Sequence, residues 1–300
     1  MKILLTGASG LLGGNCLARF SANKSVQLFA THRDPAFIAP DKFSNGQKTF
    51  ALDLTDETSV WNVVSTIQPN VIVHAAAHAD TSFCEWNRAA AKALNLDATK
   101  TLATLAEMFG ARFIFISTDL VFDGTKGDYD ETDSPNPISY YGETKAEAES
   151  LVRKLVGNHV ILRAPLLLGV SPRGNRSANE KLTKELLAGR RVKLFFDEYR
   201  TPISADALAK IIEEFAIGTL SEITGLFHAG GREKLSREEL GRKIARRFKL
   251  DEGLIEAVAL ESVASSPPRP RDVSLNSAKL HSLLPHSLPT IDESLNALPE

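Results

Sequence analysis

The sequence is short of cysteine and of net charge, and each shortage excludes a class of protein. Its 300 residues include two cysteines, Cys16 and Cys84, which cannot form a disulfide framework and are typical of a reducing compartment. Lys and Arg number 35 against 37 Asp and Glu, so there is no basic surplus for nucleic acid and no acidic arm. We therefore expect a globular protein that does not bind nucleic acid.

Long apolar runs are also missing. A membrane-spanning helix needs about 18 to 20 apolar residues, whereas the segment 160–168 is short and contains Arg163. The apolar run at residues 3–5 is too brief for a signal peptide. We therefore predict a cytoplasmic protein without membrane contact, whose 43% hydrophobic residues can fill a sizeable core.

The first 168 residues alternate short apolar runs with longer helical patterns. The spacing predicts strands at 2–5, 26–30, 49–52, 71–74, 112–117 and 160–163, with helices at 11–22, 56–67, 88–109 and 139–155 between them. Strands that are apolar on both faces and separated by helices predict a parallel sheet covered on both sides. This order predicts an α/β fold, a Rossmann-type doubly wound sheet that binds its ligands at the carboxyl ends of the strands.

After residue 168 this rhythm changes. Gly, Pro and Arg cluster at 169–176, and the later patterns predict helices at 178–187, 206–215, 237–248 and 291–298 and a strand at 225–229. We predict a nucleotide-binding domain at 1–168, to which 202–230 returns. We predict a smaller interleaved second lobe at 169–201 and 231–300, which would bind the substrate.

A glycine-rich loop, TGASGLLG at 6–13, follows the first predicted strand and opens the first predicted helix. Gly7 permits the tight turn, Gly10 lets the backbone approach a pyrophosphate, and Gly13 lets the helix pack closely on the strand. The helix N-terminus presents free N–H groups to an anion. We therefore predict a dinucleotide site that includes Gly7, Ser9, Gly10, Leu11 and Leu12.

The end of the second strand indicates which dinucleotide is bound. An acidic residue there would hold the ribose hydroxyls of NAD, whereas an arginine can pair with the 2′-phosphate of NADP. The sequence reads Thr31-His32-Arg33, with no acid at the strand end. This favours NADP(H) and a role for Arg33, although NAD(H) or a merely solvated arginine are the alternatives.

Three further residues suggest proton transfer. Thr118 ends the fifth strand, and Tyr141 and Lys145 lie four positions apart on a predicted helix, so they project from one face. A neighbouring ammonium group is expected to lower the pKa of the phenol from its ordinary value near 10, and a strand-end hydroxyl can hold the same substrate oxygen. Together with the glycine loop, this pattern predicts a catalytic site.

These elements resemble the extended short-chain dehydrogenase/reductases over essentially the whole chain. The matching segments are TGASGLLG (6–13), Asp53-Leu54, His74-Ala75-Ala76-Ala77, YGETK (141–145) and Arg163-Ala164-Pro165. Within that family, the dTDP-4-dehydrorhamnose reductase branch is similar in STDLVFDG (117–124), Tyr129-Asp130-Glu131, Asn136-Pro137 and RPRDVSL (269–275).

The resemblance implies roles for individual residues. Thr118, Tyr141 and Lys145 would be the catalytic trio, with Lys145 also on the nicotinamide ribose and Ser117 as a rival for the hydroxyl role. The other implied cofactor contacts are Asp53 and Leu54 beside the adenine, and Ala75, Ala76, Ala77, Ser117 and Pro165 along the groove. Phe122 and Asp123 would lie near the nicotinamide and the sugar, and Arg200 and Arg271 are further candidates for substrate contact.

The family resemblance implies an NADPH-dependent reductase of a 4-keto sugar nucleotide, with hydride delivered to C4 and Tyr141 as proton donor. The sequence departs from this branch at Leu166, where tryptophan is usual, and at Arg200, where glycine is usual. The order Arg200-Thr201-Pro202 looks more like the regulatory β subunit of methionine adenosyltransferase. The alternatives are therefore a non-enzymatic NADP-binding subunit of a partner enzyme and an NAD-dependent epimerase or dehydratase. A homodimer is a further alternative. Although His74 and His78 are spaced four residues apart, we predict no metal site.

Overall fold

The computed structural model describes residues 1–34, 37, 48–264 and 267–299. Its strands, in chain order, are β1 (Lys2–Thr6), β2 (Gln27–His32), β3 (Lys48–Ala51), β4 (Val71–His74), β5 (Arg112–Thr118), β6 (His159–Ala164), β7 (Leu167–Leu168), β8 (Val192–Phe195), β9 (Tyr199–Arg200), β10 (Ile203–Ser204), β11 (Gly225–His228), β12 (Leu235–Ser236) and β13 (Ile255–Val258).

The helices connect and cover these strands. They are α1 (Leu11–Ala22), α2 (Glu57–Ile67), α3 (Thr81–Trp86), α4 (Arg88–Lys92), α5 (Ala98–Met108), α6 (Tyr140–Leu155), α7 (Ala178–Leu187), α8 (Ala205–Ile217), α9 (Arg237–Arg247), α10 (Ala278–Leu283) and α11 (Ile291–Asn296). No helix in the described ranges combines the length and apolar character that crossing a lipid bilayer requires.

Within the described part of the chain, seven strands form one parallel sheet in the order β11-β6-β5-β4-β1-β2-β3. The strand order reverses between β1 and β4, which is the switch point where doubly wound sheets bind ligands. The predicted Rossmann-type α/β fold is confirmed. The strand predicted near 225–229 is β11, which pairs with β6 at the edge of the sheet.

Alternation along β1 explains why both faces of the sheet are covered. Ile3 and Leu5 point into the cluster formed with α1 and α8, whereas Leu4 points into the cluster formed with α2, α5 and α6. All three side chains are fully buried. Burial of each such side chain stabilises the fold by roughly 1.5–3 kcal/mol.

The helix boundaries follow local capping. The Asp56 side chain accepts a hydrogen bond from the Ser59 N–H at the start of α2, and Ser139 accepts one from the Gly142 N–H at the start of α6. The single helix predicted over 88–109 is only partly right, because a π-helical turn at Ala93–Asp97 separates α4 from α5. Such turns insert one extra residue per turn and often occur beside functional sites.

The segments after β6 contain a separate hydrophobic cluster. It is built mainly from α7, α9 and α11 and includes Leu182, Leu240, Ile244 and Leu295. In the described part of the chain, β7 with β10, β8 with β13 and β9 with β12 form separate two-stranded sheets beside the large one. The sequence pattern predicted these helices but missed the strands, while the proposed division into two lobes stays a prediction.

Candidate functional site

The carboxyl ends of β1, β4 and β5 meet at one edge of the sheet. Thr6 pairs in register with His74, and His74 pairs with Phe115 three residues before Thr118. The glycine loop follows β1, the alanine segment follows β4, and α6 begins close to the end of β5. The fold therefore brings the predicted dinucleotide loop and the predicted catalytic residues to a common edge.

The glycine loop has the backbone that close approach to a ligand requires. Gly7 has a φ of +76°, and a Cβ there would lie 2.8 Å from the backbone nitrogen of Ala76. A Cβ on Gly13 would overlap the carbonyl oxygen of Gly7. The N-cap of α1 is Gly10, and no side chain caps the helix. The first-turn N–H groups of Leu11 and Leu12 are thus left to an anion.

The end of β2 and the loop after β3 lie at the other end of this groove. Arg33 lies close enough for its positive charge to act on both Asp53 and His78. Hydrogen bonds from the backbone and hydroxyl of Thr55 lower the pKa of Asp53, and Arg33 lowers it further. Leu54 is buried beside Asp53. Arg33 therefore lies near Asp53, as a contact to the adenosine end of a dinucleotide would require.

The remaining predicted groove residues follow β4 and β6. Ala75, Ala76 and Ala77 are partly buried, and the Ala76 N–H donates to the Thr6 hydroxyl at 3.3 Å. Pro165 is buried directly after β6. The Ala76 backbone nitrogen is also the atom that a Cβ on Gly7 would strike. The alanine segment and the glycine loop therefore form a narrow groove that bulkier residues would fill.

Thr118, Tyr141 and Lys145 are brought together and buried. They expose 6%, 7% and 2% of their surfaces. The Thr118 hydroxyl accepts the Leu120 N–H at 3.2 Å and lies beside the Tyr141 hydroxyl. A Cβ on Gly142 would overlap the carbonyl oxygen of Leu120. Glycine beside Tyr141 therefore lets α6 approach the end of β5 closely.

The expectation that Lys145 lowers the pKa of Tyr141 is wrong for this structure. Burial raises the pKa of Tyr141, the negative charge of Asp119 adds to this rise, and the hydrogen bond with Thr118 opposes it. Burial also lowers the pKa of Lys145 to about 7, against the opposing effect of Glu149. Burial therefore favours the neutral form of each group, so the phenol keeps its proton at neutral pH.

The amine of Lys145 has an unfilled hydrogen-bonding capacity. Its Nζ lies 3.9 Å from the centroid of the Phe115 ring. Among the residues that the structure describes, no oxygen accepts a hydrogen bond from it. A buried amine of this kind fits a site that receives hydroxyl groups from a bound molecule.

Ser117 is separated from this group by the pleat of β5. Its hydroxyl donates to Glu149 at 2.5 Å, and Glu149 forms an ion pair at 2.7 Å with Arg163, both side chains being buried. Adjacent residues of a strand point to opposite faces. The geometry therefore favours Thr118 over Ser117 for the hydroxyl beside Tyr141.

Phe122 and Asp123 hold the segment after β5 in place through packing and hydrogen bonds. Phe122 exposes only 1% of its surface and stacks on Tyr129 at a centroid distance of 4.0 Å. Asp123 accepts hydrogen bonds from the Tyr129 hydroxyl at 2.6 Å and from Asn136 at 2.8 Å. The Tyr129 hydrogen bond is the largest cause of the lowered pKa of Asp123. The structure thus places Phe122 inside a hydrophobic cluster and Asp123 within a hydrogen-bonded loop.

The two arginines predicted to contact the substrate occupy different environments. Arg200 is buried and forms ion pairs with Asp119 at 3.0 Å and Glu198 at 3.1 Å. Arg271 is 61% exposed, with Asp197 at 3.6 Å. Only Arg271 therefore presents a guanidinium group to solvent.

A hydrogen-bonded chain that the sequence pattern did not indicate links the glycine loop to α6. The Thr6 hydroxyl lies 2.8 Å from His74 Nδ1, and Thr99 lies 2.9 Å from His74 Nε2. Thr99 donates to the carbonyl of Asn95, and the Asn95 amide donates to the Thr144 hydroxyl at 3.2 Å. Because Thr99 already donates its proton, His74 Nε2 is the donor and Nδ1 the acceptor. The buried Asn95 in an Ala-rich helix was the signal that could have indicated this chain.

No metal centre emerges from the described residues. They contain no group of three or more His, Cys, Asp or Glu side chains that could hold a metal ion. His74 is hydrogen bonded to two threonines, as described above, and the His78 ring lies 4.5 Å from the Phe83 ring in a tilted arrangement.

Comparison with known proteins places this arrangement in a family. A family model described as the RmlD substrate binding domain matches residues 1–299. The chain belongs to the RmlD substrate binding domain family. The resemblance to the dTDP-4-dehydrorhamnose reductase branch of the extended short-chain dehydrogenase/reductases is thereby confirmed.

Two kinds of protein are among the relatives of this RmlD-family chain. It is 32% identical to methionine adenosyltransferase 2 subunit beta of Bos taurus, covering 94% of this chain and 82% of that protein. It is 30% identical to a probable low-salt glycan biosynthesis reductase of Haloferax volcanii, covering 99% of this chain and 97% of that protein.

Solved structures agree with the fold over nearly the whole RmlD-family chain. A hypothetical dTDP-4-dehydrorhamnose reductase from Sulfolobus tokodaii is 31% identical, with a TM-score of 0.80 over 98% of this chain and 99% of that one. The dTDP-4-dehydrorhamnose reductase ortholog from Clostridium acetobutylicum is 26% identical, with a TM-score of 0.84 over 99% and 97%.

Proposed function

We propose that the chain is an NADPH-dependent reductase of a 4-keto sugar nucleotide. The observation that carries this proposal is the burial of Thr118, Tyr141 and Lys145 together, at the sheet edge where the glycine loop opens. The reductases among its relatives support the same reaction class.

The groove fits a nicotinamide dinucleotide. The uncapped first turn of α1 would hold the pyrophosphate, with Gly7, Gly10 and Gly13 keeping the path free of side chains. Arg33 would pair with the adenosine 2′-phosphate. The amine of Lys145, which has no hydrogen-bond acceptor among the described residues, would hold the nicotinamide ribose. NADPH supplies the hydride when it is bound.

The protein's own part in the reaction is the placement of a proton. The raised pKa of Tyr141 keeps its phenol protonated at neutral pH, which is the form that donates to an oxygen gaining negative charge. The Thr118 hydroxyl beside it, which donates to Asp119 Oδ1 in the ligand-free chain, would turn its proton to that same oxygen when substrate binds. Lys145, with a pKa of about 7, can stabilise the phenolate that remains or return a proton to it.

Replacement of Tyr141 by phenylalanine tests the assignment. Tyr141→Phe should lower the turnover number by about 10²- to 10⁴-fold, the range of general acid catalysis, and should leave NADPH affinity nearly unchanged. Absorbance at 340 nm with a panel of 4-keto nucleotide sugars measures turnover, and protein fluorescence measures NADPH binding. Tyr140→Phe, one position earlier on α6, is the matched control. Unchanged turnover in Tyr141→Phe contradicts the proposed role.

A second candidate is a nucleotide-binding subunit of another enzyme. The 32% identity to methionine adenosyltransferase 2 subunit beta, over 94% of this chain, favours it. This candidate predicts that purified protein binds NADPH but consumes none with any 4-keto nucleotide sugar. It also predicts a stoichiometric complex with a methionine adenosyltransferase catalytic subunit in sedimentation experiments. Steady NADPH consumption without complex formation would exclude it.

A further inference from the structure

Arg200 forms buried ion pairs with Asp119 and Glu198, and Glu198 also lies 4.0 Å from Arg237 and 3.4 Å from Arg269. Arg200 Nη1 is 3.0 Å from Asp119 Oδ2, and its Nη2 is 3.1 Å from Glu198 Oε1. The side chains of Asp119 and Glu198 are only 4% and 2% exposed, and that of Arg200 is 10% exposed. Because two carboxylates occupy its guanidinium fork, Arg200 has little capacity left for a substrate anion.

This ion-pair group reaches the candidate catalytic hydroxyl. The Thr118 hydroxyl donates to Asp119 Oδ1 at 3.2 Å and accepts the Leu120 N–H at 3.2 Å. Two contacts on one hydroxyl restrict its rotation and therefore the side-chain rotamer of Thr118. Burial raises the pKa of Asp119, and the charge of Arg200 opposes this rise. Arg200 thus favours the carboxylate form, which accepts the hydrogen bond from Thr118.

We propose that Arg200 and Asp119 are positioning residues, which together fix the Thr118 hydroxyl beside Tyr141. Arg200 belongs to β9, far from β5 in sequence, and it orients the Asp119 carboxylate that Thr118 contacts. Its place in the reaction rests on the proposed reductase function, whereas its effect on Thr118 is a property of the folded chain.

The arginine Arg269 offers a matched control. It lies 3.4 Å from the same Glu198 carboxylate but is 48% exposed and has no contact with Asp119. Arg269→Gln therefore removes a charge beside the ion-pair group and leaves the link from Arg200 to Thr118 in place. A general electrostatic or stability effect would appear in both arginine variants, whereas a positioning effect would appear only in Arg200→Gln.

Methyl NMR tests the positioning without any turnover. Threonine methyl groups are labelled with ¹³C in the full chain, and the Thr118 signal is assigned by its loss in Thr118→Ser. The proposal predicts that Arg200→Gln and Asp119→Asn both move the Thr118 signal and change its rotamer-dependent coupling, while Arg269→Gln does neither. Asp119→Asn leaves Arg200 paired with Glu198. If Arg200→Gln does not fold, Asp119→Asn therefore still provides the test. An unmoved Thr118 signal in the folded variants overturns the proposal.

Kinetics then separate positioning from substrate binding. Arg200→Gln and Asp119→Asn should lower kcat by about 10-fold or more, because small displacements of a catalytic group are costly, with KM changed less than about twofold. Arg269→Gln should change kcat little. A raised KM with normal kcat in Arg200→Gln would show direct substrate binding and overturn the proposal. Absence of turnover in the wild type would refute the reductase function and leave the NMR result decisive for Arg200.

Discussion

The neutral state of the buried His74 leads to a quantitative prediction about stability and pH. Burial, with a smaller contribution from the charge of Lys145, lowers the pKa of His74 from 6.5 to about 3. In the unfolded chain the same side chain takes up a proton near pH 6.5. The unfolded state therefore binds more protons than the folded state between pH 6.5 and 3, and the free energy of unfolding must fall as the pH is lowered through that window.

The magnitude follows from the two pKa values. Each pH unit below the unfolded pKa removes about 1.36 kcal/mol, so His74 should account for a loss of about 2 kcal/mol between pH 8 and pH 5.

Urea denaturation at pH 8 and pH 5 measures this loss. Other titrating groups contribute equally to wild type and to His74→Gln, so the variant should lose about 2 kcal/mol less than wild type between these two pH values. Thr99→Ser keeps both His74 and its hydrogen-bond acceptor and should behave like wild type. Equal losses in wild type and His74→Gln would refute the claim that folding keeps this imidazole neutral.

Three further predictions concern the groove and the core beneath it. Gly13→Ala should destabilise the fold by about 1–3 kcal/mol, as overpacking does, and should weaken NADPH binding in fluorescence titrations. Gly157→Ala, whose Cβ would have its nearest neighbour at 3.9 Å, should do neither. Glu149→Gln should cost about 3–5 kcal/mol in chemical denaturation because its buried arginine partner loses its counter-charge, while the exposed Glu185→Gln should cost less than about 1 kcal/mol. Arg33→Ser should weaken NADPH binding by about 10-fold, the value of one charged hydrogen bond, and leave NADH binding unchanged; equal losses for both nucleotides would contradict the proposed 2′-phosphate contact.

Local patterns were sufficient to predict the large sheet and its ligand edge. Strands such as β1 and β4 are buried on both faces, so their apolar runs were recognisable, although β3 is not buried. Gly7 and Gly13 mark backbone positions that no other residue can occupy without strain or overlap. The helix starting after Ser139 was predicted nearly to the residue, and α6 has a capping side chain at that start, although its buried face includes Thr144, Lys145 and Glu149.

The missing parts of the prediction depend on contacts between distant residues. Arg200 is 81 positions from Asp119, and no periodicity shows that two carboxylates will surround its guanidinium group. The pKa direction of Tyr141 was wrong because it depends on burial, which is a property of the whole fold. Short strands such as β9 and β12 contain two residues each, too few for an alternation pattern to be recognised.

The chain returns late, at β11, to the seven-stranded sheet, and this affects how the protein can be divided into fragments. Strand β11 covers the outer edge of β6, and the segment between these two strands contains β7, β8, β9 and β10. A fragment ending near residue 168 would leave the amides and carbonyls of that edge open to pairing with other chains, a common route to aggregation. The amino-terminal half is therefore a poor unit for expression by itself.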